Sequence, residues 1–92
     1  MNEKEEKIEE KVSKYRELTK KALEKVGVID SEKGNELLEM ARNYYNDAMH
    51  FEKEGKLLTA LAAYSYAHAW IDAGVRLGYL DGKNDDQLFV LP

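Results

Sequence analysis

The stretch "KLLTALAAYSYAHAWIDAGVRLGYL", Lys56 to Leu80, decides the fold. At 100° per residue, Ala60, Ala62, Ala63, Tyr64, Tyr66, Ala67, Ala69, Trp70, Ile71, Ala73, Gly74 and Leu77 share a sector of about 240°, broken only by Thr59. A surface helix needs an apolar stripe about half that wide. This helix is therefore expected to be buried on several sides and to pack on both of its neighbours. Ala60, Ala63, Ala67 and Gly74 remove the side-chain bulk that otherwise sets the distance between helix axes.

Upstream, Leu37, Leu38, Met40, Ala41, Tyr44, Tyr45, Ala48, Met49 and Phe51 occupy one half of a helical wheel. Glu36, Glu39, Asn43, Asn46, Asp47, His50 and Lys53 take the other half. Asp30 or Ser31 can cap this helix. Gly55 leaves so short a connection that it and the third helix form an antiparallel hairpin. Further back, Ile8, Val12, Tyr15, Leu18, Ala22 and Val26 recur at spacings of three and four amid Lys and Glu. That is one narrow apolar stripe on a solvated helix. The expected fold is all-α: a single-domain three-helix bundle over residues 1–92. Its helices lie near 3–26, 31–54 and 56–80. The segment "DGKNDD" reads as a turn. After it, "QLFVLP" brings four consecutive apolar residues, which either fold back on the bundle or bind another chain.

Composition narrows the function classes. The chain has 92 residues, no cysteine, one proline and a net charge of −4. Disulfides, zinc knuckles and thiol nucleophiles are thereby excluded. Residues 1–26 hold eight Lys/Arg against seven Glu, so the acidity lies later in the chain. No basic face is evident, and nucleic acid is not an expected partner. The charged start argues against a secretory signal, and no apolar run suits a membrane span. A cytoplasmic location is expected.

Ser65, His68, Asp72 and Arg76 form a polar stripe on the third helix. As a binding site, Arg76 would hold an anion while Asp72 orients His68 for proton transfer. As structure, the same residues make an i,i+4 ladder in which Asp72 pairs with Arg76 or His68. A catalytic site draws on several elements around a pocket, whereas one stripe gives only a line, so the structural reading leads. Away from that stripe, Tyr66, Trp70 and Leu77 are the candidate interface patch. Asp47 and His50 have ligand-like spacing, but a di-metal bundle needs such a motif on two helices. Neither metal nor cofactor is expected.

Gly55 to Ala67 resembles the second helix of a tetratricopeptide repeat, although no 34-residue self-similarity follows it. A longer likeness lies in "YYNDAMHFEKEGKLLTALAAYSYAHAWIDAGVRLGYL". This hairpin carries Ala60 to Tyr66, His68, Trp70 and the run Asp72, Ala73, Gly74, Arg76, Gly78 behind a Lys/Glu-rich helix. It resembles the small archaeal proteins grouped as DUF357. The resemblance implies a three-helix bundle and supplies no activity. The leading expectation is a non-enzymatic interaction or accessory module, acting as a homo-oligomer or on a protein partner. The alternative is a small-molecule or anion-binding protein, with catalysis at the His68, Asp72 and Arg76 stripe.

Overall fold

A computed structural model describes residues 6–92. Three helices account for most of them: α1 (Ile8–Lys25), α2 (Ser31–Lys53) and α3 (Leu57–Leu77). Both α1 and α2 pack on α3 and barely touch each other, which is what the wide apolar sector of α3 requires.

The first helix starts later than its charge pattern suggests. Lys7 has extended backbone (φ −84°, ψ 131°) and gives no side-chain cap. Glu6 and Lys7 lie outside the helix, and residues 3–5 fall outside the described range. Helical order begins with the first apolar residue that finds a packing surface, Ile8. The second helix is capped as its sequence implies, with Asp30 Oδ1 accepting from the Lys33 amide at 2.9 Å.

The third helix ends three residues before the pattern fades. Gly78 adopts φ 84°, and the Tyr79 amide donates back to the Gly74 carbonyl at 2.9 Å. This is the left-handed helix stop that favours glycine. The chain then enters a short strand, β2 (Leu80–Asp81), antiparallel to β1 (Gly27–Val28), with Gly27 opposite Asp81 and Val28 opposite Leu80. The Ile29 and Asp30 amides both donate to the Tyr79 carbonyl. The α1–α2 connection is therefore stitched to the exit of α3, a feature that the helical periodicities do not contain.

Two apolar clusters fill the interior. Near the α2–α3 turn, Val12, Ala48, Ala60 and Tyr64 pack together. At the other end, Ala22, Leu38, Ala41, Ile71, Val75 and Leu80 surround Phe89 of the C-terminal tail. Ile71 therefore packs level with Leu38 and Ala41, about two to three turns from Ala48. The tail folds back on the bundle, with Leu88 and Leu91 against the same cluster.

Candidate functional site

The polar stripe of α3 faces the tail. The His68 Nε2–H donates to the Leu88 carbonyl at 2.6 Å. The Val90 amide donates to Asp72 Oδ1 at 3.0 Å, and Arg76 Nη1 donates to the Leu91 carbonyl at 3.1 Å. The tail turns through residues 86–88 and then passes alongside α3, so its backbone groups meet successive residues of the stripe.

Asp72 does not pair with Arg76, whose guanidinium goes to the tail instead. It approaches His68 only to 3.9 Å. Ser65 is exposed and lines an open cleft of about 300 Å³ together with Tyr15, Leu18, His68, Asp72 and Asp86.

A residue with no place in the stripe completes it. Thr19 of α1 is fully buried, with its hydroxyl 3.2 Å from His68 Nδ1 and 3.3 Å from the Tyr64 carbonyl. The one Thr19 hydroxyl proton has two acceptors in reach, the Tyr64 carbonyl and, in the neutral ring, His68 Nδ1. Both ring nitrogens lie within hydrogen-bond distance of groups of the fold itself. The tail itself is turned by Asp85. Its Oδ2 accepts from Lys25 Nζ at 2.8 Å, and its Oδ1 accepts from the Gln87 and Leu88 amides. The Lys25 hydrogen bond, followed by those amides, holds the Asp85 carboxyl below its ordinary range.

A second polar network joins all three helices. Arg16 donates to Glu52 Oε2, and the Tyr64 hydroxyl donates to Glu52 Oε1 at 2.8 Å. Burial and then that hydrogen bond push the Tyr64 phenol well above its ordinary range. His50 Nε2 lies 3.4 Å from Glu54 Oε2 on the same helix face. Among the described residues no group of three or more His, Cys, Asp or Glu could hold a metal ion. No described helix is long and apolar enough to cross a membrane.

Across α3 from the tail, an apolar groove of about 410 Å³ opens between α2 and α3. Leu37, Met40, Trp70, Leu77 and Tyr79 line it, with Lys33 and Glu36 at its edge. Leu77 is 66% exposed and Tyr66 49%. The Tyr66 ring meets Tyr44 edge-on at 4.5 Å and Trp70 at 5.9 Å. Trp70 is the deepest of the three patch residues. Its Nε1 is buried without an acceptor among the described residues.

No match was found among curated proteins or solved structures. A family model described as "Protein of unknown function (DUF357)" matches residues 14–80, from the middle of α1 to β2. That span covers the greater part of the chain, including the groove and the stripe but not the tail that the stripe holds. The chain belongs to the DUF357 family.

Proposed function

We propose that the chain is a non-enzymatic docking module, and that the groove between α2 and α3 with its exposed rim is its contact surface for another polypeptide. The observation that carries this is the exposure of Leu77 and Tyr66 beside an apolar groove in so small a protein. Large apolar side chains gathered around one groove mark interaction surfaces, whereas scattered ones need no explanation. Aromatic residues are also over-represented at the centres of such surfaces.

The anion-binding alternative has less support. Arg76 is engaged by the tail and is not among the residues lining the cleft, where Asp72 and Asp86 place carboxylates instead. Coulomb repulsion then opposes an anion.

The test pairs light-scattering mass with stoichiometric capture, comparing the parent with Leu77→Asp. Leu77 is exposed, so the variant should keep its helical content and melting temperature while losing association at least tenfold. Association of unchanged strength in Leu77→Asp, or none in the parent, would overturn the reading.

A further inference from the structure

One face of α3 stays open to solvent between the tail cleft, which Ala69 helps to line, and α2, where Tyr66 meets Tyr44. Ala62, Tyr66, Ala69, Ala73 and Leu77 follow one another along it, every one exposed. Together they make an uncharged ridge about 24 Å long, bordered by the groove. If this face is the docking surface proposed above, its pattern says what it docks. Large and small residues are arranged about a midpoint between Ala69 and Trp70. A second α3 laid antiparallel across that midpoint sets Leu77 of each copy over Ala62 of the other. It likewise sets Tyr66 over Ala73, with Ala69 near Ala69 at the axis.

Every large side chain then meets an alanine, as close helix packing needs. A parallel pairing would stack Tyr66 on Tyr66 and Leu77 on Leu77, and would bring the two Arg76 side chains together. The antiparallel arrangement keeps those charges at opposite ends. We infer that the occupant of this face is a second copy of the same chain, docked antiparallel through α3 about a two-fold axis.

Such an interface is isologous, so a single patch serves both subunits and the assembly closes at two. A standard interface uses about 800 Å² per partner, which is roughly an eighth of the 6040 Å² accessible surface. The pair is expected to dissociate on dilution.

The chain has no cysteine, so one introduced thiol reports its own neighbours. Ala69→Cys should oxidise to a covalent dimer. Ala62→Cys alone should stay monomeric under the same conditions, because antiparallel copies hold the two positions about 22 Å apart, far beyond disulfide reach. Mixing Ala62→Cys with Leu77→Cys should give the crossed dimer. Sedimentation of the unmodified chain should show mass rising from that of a 10.6 kDa monomer to twice that value. A chain that stays monomeric to about 1 mM, or Ala62→Cys linking to itself as readily as Ala69→Cys, overturns the antiparallel pairing. If the chain is monomeric yet captures a different protein, and Leu77→Asp does not, only the self-pairing fails and the docking surface stands. With neither kind of association, both readings fall.

Discussion

Thr19 shows how far sequence reasoning reaches for a single residue. At 100° per residue it falls inside the apolar stripe of α1, between Ile8 and Val12, and it is fully buried against His68 and the Tyr64 carbonyl. The period implies the burial but not the hydroxyl's partners, which lie more than forty residues away. His68, Asp72 and Arg76 were legible as a group, since their spacing of four puts them on one face. Their acceptors and donor are tail backbone, however, and backbone groups leave no mark in a sequence. Asp85 gives the residue-scale prediction. Its carboxyl is held below the ordinary Asp value, near 3.9, by Lys25 and two amides. A depressed folded value means that its contribution is present above the unfolded value and lost as pH falls through the folded one. Amide exchange at Leu88 and Phe89 should therefore accelerate as pH falls below the ordinary Asp range, in excess of the intrinsic chemical rate. The side chain of Asp85→Asn does not titrate, so that variant should lack the step. Protection that persists unchanged to pH 2, or an identical step in Asp85→Asn, would show that the carboxylate does not hold the turn.

The helices were readable because each carries its own period, and their ends were less so. A two-residue strand has no period, so β1 and β2 could not be seen in "GVID" or "GYLDG". Their trace lies in two helical glycines: Gly34, which the hydrophobic pattern leaves unexplained, and Gly74, whose small size reads from sequence as room for a neighbouring helix. A Cβ on Gly34 would come within 2.8 Å of the Tyr79 carbonyl oxygen, and one on Gly74 within 2.5 Å of Leu80 Cδ1. Both make room for the segment that closes the bundle behind α3. Gly74→Ala tests this, because two effects oppose each other. Alanine favours a helix over glycine by up to about 1 kcal/mol, whereas overpacking costs about 1–3 kcal/mol. Leu80 is only 1% exposed and Leu37 closes the other side, so overpacking should win. A loss of about 1–2 kcal/mol in urea melts is expected. Leu80→Ala in the same chain should cost less than it does in the parent, since its cavity receives the new methyl. A Gly74→Ala protein more stable than the parent would mean that Leu80 can withdraw.

For the molecule as a whole, the question left by "QLFVLP" was whether the tail belongs to this core or to another chain. Four successive apolar residues cannot say which of them is buried. Phe89 is 3% exposed, whereas Val90 is 56% exposed. Phe89 lies in one buried cluster with residues of α1, α2, α3 and β2, and of these α1 and α2 barely touch each other directly. Phe89→Ala should therefore destabilise the protein by about 3 kcal/mol. Deleting residues 87–92 should cost at least as much, because the His68, Asp72 and Arg76 bonds go with it. The tail bonds to His68, Asp72 and Arg76, whereas Ala62, Tyr66 and Ala73 line no part of its cleft, so the two losses are separable. At a temperature where the truncated protein is still folded, its dimerisation should match that of the full chain while its melting temperature falls. If truncation left stability intact and abolished self-association, the tail would be the interface, and its hydrogen bonds within this bundle would contribute little to holding it.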